Sequence, residues 1–291
     1  MFSRRRNGEE PEADLVPQQK KRIVRKIPEI ITLAYSATGN RKYQQDAIYV
    51  SVGQKLAGNR KTRILAMVCD GMGGMTDGGL ASSTAIEMMV QGFEKIKNEP
   101  NVDIPMFFQQ GIRVIDKKIH SFPKEGGKGS GTTMVAVIAE DEHLYWASVG
   151  DSRIYILRGN QMIRVTRDHN YLMRLQEMVD RGEMSLQEAQ GQKQKEALIS
   201  FLGIGNVSLM DINRQPFEMK FGDVVLLCSD GITKTLPDNQ IRNIIQNDAV
   251  SMNEKARILV EAAVRGNTHS QDNTSVAILQ YIESVITTGR H

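Results

Sequence analysis

Five aspartates stand beside short apolar runs of the sequence, where their side chains could meet in one cleft. Asp70 follows the run ILAMVC, and Asp230 follows VVLLCS. The other three have similar surroundings: Asp46 before AIYV, Asp151 after LYWASVG and Asp272 before SVAIL. A single aspartate beside a glycine is commonly a turn former. Five such positions favour a different interpretation, in which buried strands deliver charges that must be paired or bound to metal.

Carboxylates that cluster repel one another, so a cation must lie among them. The chain contains no HExxH pattern and its histidines are scattered, at His120, His143, His169, His269 and His291. Both thiols lie inside apolar runs, so cysteine ligation is disfavoured. An all-oxygen site favours hard cations such as Mg²⁺ or Mn²⁺. Two such ions about 3.5–4 Å apart can share a hydroxide and hold both ends of an in-line displacement at phosphorus.

A glycine cluster follows Asp70 in the stretch VCDGMGGMTDGGLAS, residues 68–82. It could form a flexible loop, a phosphate cradle or the floor of a metal site. The P-loop pattern is excluded because no GK[ST] occurs near it, and the pattern GxGxxG, which begins at Gly71 and Gly73, meets Thr76 in place of its third glycine. The metal floor is therefore favoured, with Gly73 and Gly74 in a tight turn beside it.

Apolar patterning indicates the elements that position these aspartates. Strands are predicted for residues 64–69, 132–139, 144–149, 153–157, 224–228 and 275–279, which are short and rich in β-branched residues. Helices are predicted for residues 81–97, from about 105 to 119, 237–246 and 253–265. Strands cluster and strict strand–helix alternation is absent. The pattern therefore favours antiparallel sheets covered by helices, an α+β fold.

The composition indicates a globular protein with its basic charge at one end. The chain has 291 residues, 40% of them hydrophobic, and a formal net charge of +3. Residues 1–28 hold eight Lys or Arg and four acidic residues, so the tail accounts for the positive charge and the body gives no reason to expect nucleic-acid binding. Disorder or binding to an acidic partner remains open for this tail. Two cysteines, no secretory signal and no membrane-spanning run favour a cytoplasmic location.

Residues 168–200 differ from the rest of the chain because they are mostly polar. Leu172, Leu175 and Val179 recur at helical spacing, and Ser185 to Glu188 (SLQE) resembles a capping box. A small helical insertion on the surface is predicted. It could act as a flap or as a plain connector.

Seven segments, in this order, resemble the metal-dependent protein serine/threonine phosphatases of type 2C. They are RKYQQDA (41–47), VCDGMGG (68–74), GTT (131–133), VGDSRIY (149–155), TRDHN (166–170), LLCSDGIT (226–233) and QDNTSVAI (271–278). One such segment is weak evidence, whereas seven in the right order are strong. The similarity runs from about residue 34 to residue 280, with residues 29–283 as the catalytic domain and 284–291 as a second tail.

The resemblance implies an αββα sandwich of two antiparallel sheets with a metal centre in the cleft between them. It further implies two Mn²⁺ or Mg²⁺ ions, with a third, weaker ion near Asp151. Carried over residue by residue, the implied metal ligands are Asp46, Asp70, the carbonyl of Gly71, Asp151, Asp230 and Asp272. Asp70 would bridge the two ions, Asp151 and Asp230 would hold the third, and Arg41 would bind the phosphate. Ser152, Ser229 and Asn273 would orient ligands or waters.

Two residues depart from the pattern of this family. Gln45 stands where many members carry a glutamate, so one negative charge is lost beside Asp46. Met72 stands where some members carry a histidine proposed as general acid, and a thioether cannot donate a proton. The leaving alkoxide then needs its proton from a metal-bound water or another group. Thr132 and Thr133 are interpreted as structural residues at the start of a core strand.

The expected activity is hydrolysis of phosphoserine and phosphothreonine by a hydroxide that bridges the two ions, without a phosphoenzyme. The expected partners are phosphorylated proteins, a serine/threonine kinase and its substrates, with no nucleic acid, no membrane span and a monomeric state. A catalytically silent phosphoprotein-binding module and a phosphatase of small phosphoesters are the alternatives. Because every ligand position is filled, the silent module is disfavoured.

Overall fold

Two antiparallel sheets pack face to face, and helices cover both outer faces. The computed structural model describes residues 23–56, 62–73, 77–123, 129–266 and 269–288. The strands are β1 (Ile23–Ala37), β2 (Asp46–Val50), β3 (Gln54–Lys55), β4 (Arg63–Met72), β5 (Gly131–Thr132), β6 (Met134–Glu140), β7 (His143–Val149), β8 (Arg153–Arg158), β9 (Gln161–Arg164), β10 (Asp211–Ile212), β11 (Phe217–Glu218), β12 (Val224–Cys228) and β13 (Thr274–Thr288). The helices are α1 (Asp77–Ile96), α2 (Ile104–His120), α3 (Tyr171–Asp180), α4 (Leu186–Gly191), α5 (Asp230–Thr233), α6 (Asp238–Ile245) and α7 (Met252–Gly266).

The sheet orders confirm the predicted αββα architecture. One sheet has the order β3-β1-β13-β12-β8-β9, and the other has β10-β7-β6-β4-β2, with β11 on β7 and β5 on β4. Among the described residues, the paired strands of both sheets are antiparallel, as in β2 with β4 and β12 with β13. None of the described helices is long and apolar enough to cross a membrane.

The unbroken apolar runs of the sequence are strands with both faces buried. In β4, Ile64, Ala66 and Val68 pack between the sheets, whereas Leu65 and Met67 pack against α1 and α2. The strand β12 behaves in the same way, with one face in the intersheet core and the other against α6 and α7. Burial on both faces removes the apolar–polar alternation that a half-exposed strand would show. These strands form a rigid base for the residues at their ends.

Several element boundaries differ from the predicted ones. The strand β4 continues through Asp70 to Met72 because Gly71 and Met72 pair with β5, so Asp70 lies inside a strand. The predicted strand 132–139 is divided at Thr133 into β5 and β6. Asp230 opens the short helix α5 immediately after β12, and α1 begins at Asp77, ahead of the predicted start near residue 81.

The terminal strands extend into segments that the sequence assigned to tails. The strands β1 and β13 pair from Ile23 opposite Thr288 to Ala37 opposite Thr274. Residues 23–28 and 284–288 are therefore strand. The rest of the predicted N-terminal tail, residues 1–22, and residues 289–291 lie outside the described residues.

Residues 168–200, predicted to be a helical insertion, contain the two helices α3 and α4 and are closed at their base by backbone hydrogen bonds. Tyr171 N donates to Ala197 O at 2.8 Å, and Ile199 N donates to His169 O at 2.9 Å. The predicted capping box is present: Ser185 Oγ accepts from Glu188 N, and Ser185 N donates to the Glu188 carboxylate. The insertion is thus a hydrogen-bonded unit attached to the segment that follows β9.

Candidate metal centre

Asp46 and Asp70 lie opposite each other on adjacent strands. Asp46 is the first residue of β2, and its register partner in β4 is Asp70. The run VCDGM continues in strand conformation because Thr133 N donates to Asp70 O at 2.8 Å, while Asp70 N donates to Thr133 Oγ1 at 3.0 Å. The sheet therefore brings two carboxylates together at one end of the intersheet cleft.

Gly71 is required where three backbone segments meet beside Asp70. A Cβ at this position would lie 2.1 Å from Gly78 O and 2.6 Å from Gln45 O, so a side chain would collide with backbone. Gly71 N donates to Gln45 O at 3.1 Å, which fixes the loop before β2 against β4. The glycines of the cluster thus allow close packing around Asp70. Gly73 has a φ of 140°, and the predicted turn residue Gly74 lies outside the described residues.

Asp230 comes from the other sheet, at the start of α5. Ser229, the residue before it, donates from Oγ to Asp46 Oδ2 at 2.8 Å and accepts from Ser275 N at 3.0 Å. This contact joins the two sheets directly behind the site. Within the described residues, Asp46 Oδ1 and Asp230 Oδ1 are buried and have no hydrogen-bond partner.

Asp272 and Arg41 form an ion pair at the mouth of the site. Arg41 Nη2 lies 2.6 Å from Asp272 Oδ2, and the arginine side chain is 55% exposed. Asp272 Oδ1 accepts from Asn273 N at 2.9 Å, so both of its oxygens have protein partners. Asn273 accepts from Gln45 N at 2.8 Å and donates to Thr38 O at 2.8 Å. Asn273 therefore holds the loop that carries Arg41 and Gln45.

Asp151 lines the cleft on the far side, and Ser152 lies behind it. Ser152 Oγ is 2.7 Å from Thr133 Oγ1, the same atom that accepts from Asp70 N. Ser152 therefore contacts Thr133 and not Asp70 directly. Thr133, predicted to be a structural residue, also lines the cleft and joins Asp70 to Ser152.

The aspartates repel one another strongly, and this repulsion adds to the effect of burial. Burial raises the pKa of Asp46 to about 7, against the lowering effect of the Ser275 and Ser229 hydroxyls, and the charges of Asp230 and Asp272 add to the increase. Burial also raises the pKa of Asp70 well above its ordinary value, with further contributions from Asp46, Asp230, Asp151 and Asp272. The pKa of Asp151 rises to about 6 through burial and the charge of Asp230. All five predicted aspartates therefore share one electrostatic environment.

The cleft is a cavity of 260 Å³. The residues that line it are Arg41, Gln45, Asp70, Gly71, Met72, Gly73, Thr133, Asp151, Glu196, Leu198, Asp230, Lys234 and Asp272. Asp46, which is 9% exposed, lies behind this surface. Glu196 and Leu198 belong to the insertion, which therefore borders the cleft. The described residues that line it include no histidine, so none stands in for Met72 as a proton donor.

The donor set fits a hard divalent ion. The two unpartnered carboxylate oxygens, of Asp46 and Asp230, need a positive partner, and the surrounding donors are oxygens. Thiols are excluded because Cys69 and Cys228 are buried in the apolar cores, where burial raises the pKa of both, that of Cys228 to about 12. Within the described residues, no three acidic, His or Cys side chains converge on one point. Ions here would therefore keep water ligands besides the carboxylates, as Mg²⁺ commonly does.

Lys234 lines the cleft, although the sequence did not identify it as a site residue. It follows Asp230 by one helical turn, and its Nζ forms an ion pair with Asp230 Oδ2. Burial alone would lower the pKa of Lys234, but the charges of Asp230, Asp151 and Asp70 raise it. The spacing of four residues in SDGITK could have identified this pair, had α5 been predicted.

Comparison with known proteins agrees with this geometry. The sequence model of the family described as protein phosphatase 2C matches residues 35–262. The serine/threonine phosphatase stp of Listeria welshimeri is 28% identical over 225 residues, which cover 76% of this chain and 86% of that protein. The crystal structure of the Mycobacterium tuberculosis serine/threonine phosphatase PstP/Ppp has a TM-score of 0.68 at 28% identity, over 87% of this chain and 98% of that one.

A further solved structure bears on the metal. The catalytic domain of PstP, in complex with two manganese ions, has a TM-score of 0.67 at 28% identity and matches 88% of this chain and 99% of its own. The αββα sandwich with an acidic cleft is thus the architecture of a metal-dependent phosphatase. This chain belongs to the protein phosphatase 2C family, and it is an enzyme of the protein serine/threonine phosphatase class.

Proposed function

We propose that this chain hydrolyses phosphoserine and phosphothreonine side chains of proteins in a reaction that requires two divalent ions. The observation that carries the proposal is the pairing of Asp46 with Asp70 between β2 and β4, with Asp230 of the other sheet close enough for its charge to act on Asp46. Among the described residues, one buried oxygen of Asp46 and one of Asp230 have no hydrogen-bond partner. Asp46, Asp70, Gly71 and Asp230 would hold the ions, with Asp272 as a further ligand. When bound, Mn²⁺ or Mg²⁺ would supply the positive charge that polarises the phosphate and makes water nucleophilic at neutral pH.

Arg41 would bind the phosphate of the substrate. Its guanidinium lines the cavity, is more than half exposed and is held beside the aspartates by Asp272. A planar donor with paired N–H groups suits two phosphoryl oxygens. When the phosphate arrives, Arg41 would share its charge between the phosphate and Asp272.

Direct attack by water on phosphorus is the mechanism that the lining residues favour. The described residues that line the cavity include no cysteine, serine or histidine, and its aspartates would be engaged with the ions and not free to accept the phosphoryl group. The Thr133 hydroxyl is engaged with Asp70 N and Ser152 Oγ. Met72 has no proton to give, so the leaving alkoxide would take its proton from water or from another group of the cleft.

The insertion at residues 168–200 would contact the polypeptide on either side of the phosphorylated residue. It contributes Glu196 and Leu198 to the 260 Å³ cavity, and Asn170, Leu172 and Glu196 to a neighbouring cavity of 520 Å³. A protein substrate would use both cavities, whereas a small phosphoester would use only the first. This arrangement favours phosphoproteins as substrates.

Turnover of p-nitrophenyl phosphate with and without Mn²⁺, after treatment with a chelator, tests the metal requirement. We expect turnover only with the metal and then Mn²⁺-dependent release of phosphate from a phosphothreonine peptide. Turnover that persists in excess chelator would contradict the proposal. Phosphopeptide binding without any turnover would instead identify a binding module.

A further inference from the structure

Lys234 brings a tethered cation into the acidic cleft. It caps the C-terminal end of α5 and forms its ion pair with Asp230 Oδ2, four residues earlier in the chain. Its side chain is 52% exposed, so the ammonium is at the cleft surface and the aliphatic stem is not locked in the core. The pair is set by the geometry of a single helical turn.

Lys234 lies at the boundary between two cavities. Among the described residues, four line both the 260 Å³ cleft and the adjoining 520 Å³ cavity: Asp151, Glu196, Asp230 and Lys234. Three of these four side chains are carboxylates and the fourth is the ammonium. Asp151 and Asp230 are also the residues that the family resemblance assigns to a third, weaker ion.

Asp230 divides its two oxygens between different partners. Oδ2 is bound by Lys234, whereas Oδ1 is buried and has no hydrogen-bond partner in the described residues. Asp46 shows the same division, with Oδ2 bound by Ser229 and Oδ1 unpartnered. The unpartnered Oδ1 atoms of Asp46 and Asp230 are thus left for the two main ions. Asp230 Oδ2 already has a cationic partner, the Lys234 ammonium.

We propose that the Lys234 ammonium takes the place of the third ion between Asp151 and Asp230, an inference that rests on the proposed two-ion function. A divalent ion there would have to displace the ammonium from Oδ2 and would be repelled by it at short range. A cation tethered to the chain is present at every metal concentration. This chain would therefore complete its centre with two divalent ions and one lysine.

Counting bound Mn²⁺ by equilibrium dialysis of the full chain tests this proposal. The variant Lys234→Met keeps the length of the side chain and removes its charge, whereas Lys234→Arg retains the charge. We expect two ions for the wild type and for Lys234→Arg, and three for Lys234→Met. The third ion should bind Lys234→Met at least about tenfold more tightly than it binds the wild type.

Lys97→Met is the matched control, because Lys97 forms an exposed i,i+3 pair with Glu94 on α1. It should bind two ions, as the wild type does. Circular dichroism and thermal unfolding would verify that each variant is folded, and Lys234→Gln provides a second neutral variant.

Two results would overturn the proposal. One is a third ion in the wild type with the affinity that it has in Lys234→Met. The other is a count of two ions in both folded neutral variants. Either result leaves the two-ion function standing, whereas a wild-type chain that binds no Mn²⁺ would overturn the proposed function as well.

Discussion

Ser229 donates a hydrogen bond across the interface between the sheets to Asp46, with 2.8 Å between Oγ and Oδ2. Both residues are buried, and the bond leaves Asp46 Oδ1 as the atom available to an ion. Partners of this kind orient a ligand and raise its affinity for metal. The contact links residues of the two sheets at the proposed metal centre.

Replacement of Ser229 should weaken metal binding while the ligands remain in place. In Ser229→Ala, Asp46 loses its hydrogen bond, and we expect Mn²⁺ affinity to fall by about tenfold in isothermal titration. Ser83→Ala is the control, because Ser83 Oγ donates to Leu80 O within α1 and does not line the cleft. Equal Mn²⁺ affinity in wild type and Ser229→Ala would show that Ser229 does not orient Asp46.

Replacement of Arg41 should impair substrate binding more than metal binding. In Arg41→Ala the bidentate donor is lost, and we expect KM for a phosphothreonine peptide to rise at least about tenfold. The KM of Arg41→Lys should lie between those of the wild type and Arg41→Ala, since lysine keeps the charge without the planar pair of N–H donors. Arg265→Ala, which removes an exposed pair with Glu261, should leave KM unchanged. An unchanged KM in Arg41→Ala would remove Arg41 from the site.

Asp116 holds the loop that follows the insertion. It is 1% exposed and accepts from Gly203 N at 2.8 Å, Gly205 N at 3.0 Å and Val207 N at 3.0 Å. Leu202 in the same loop pairs with Thr132, whose Oγ1 donates to Asp70 O at 2.9 Å. The carboxylate therefore supports the backbone that leads to the metal centre.

Asp116→Asn should destabilise the protein, because the amide NH2 group would replace one acceptor oxygen and face a backbone N–H that this oxygen now accepts from. We expect the free energy of unfolding in urea to fall by about 2–4 kcal/mol. The control is Asp103→Asn on the same helix, where asparagine caps as well as aspartate and the change should stay within about 0.5 kcal/mol. Equal losses in the two variants would contradict the role assigned to Asp116.

Asp211 makes part of the stability depend on pH. Burial opposes ionisation of Asp211, but the neighbouring His169 ring and the hydrogen bonds and charge of Arg167 hold its pKa well below the ordinary value. A group whose pKa is lower in the folded protein than in the unfolded chain stabilises the folded protein fully above the unfolded-state pKa. This stabilisation is lost as the pH falls through the folded-state pKa.

We therefore expect Asp211→Asn to be less stable than the wild type by about 1 kcal/mol at pH 7. The difference should shrink as pH is lowered below about 4. Urea unfolding of both proteins at pH 7, 5 and 3 measures this. A difference that stays constant over the whole range would contradict the assignment.

The layered fold and the five aspartates could be predicted because each depends on local signals. Apolar runs identify strands, and an aspartate at the end of such a run needs a partner wherever the strand lies. The contacts of Lys234 and Asp116 could not be predicted in this way. The Lys234 pair depends on a one-turn helix too short to show a period, and Asp116 meets a loop that is distant in sequence.

The wrongly predicted element boundaries also result from pairing with segments that are distant in sequence. The strand β4 runs past Asp70 because β5, a segment of another part of the chain, supplies hydrogen bonds to Gly71 and Met72. The strands β1 and β13 extend each other in the same manner. Propensity within one segment carries no information about a partner strand.

The most direct test of the metal centre is Mn²⁺-dependent phosphate release from a phosphothreonine peptide by Asp70→Asn, compared with wild type. Asp70 lies opposite Asp46 and is influenced by all four other aspartates. We expect a loss of at least about 100-fold in kcat with native circular dichroism, and the same for Asp230→Asn. Asp248→Asn, an exposed aspartate after α6, should keep wild-type turnover. Turnover near the wild-type value in folded Asp70→Asn would contradict the two-ion centre.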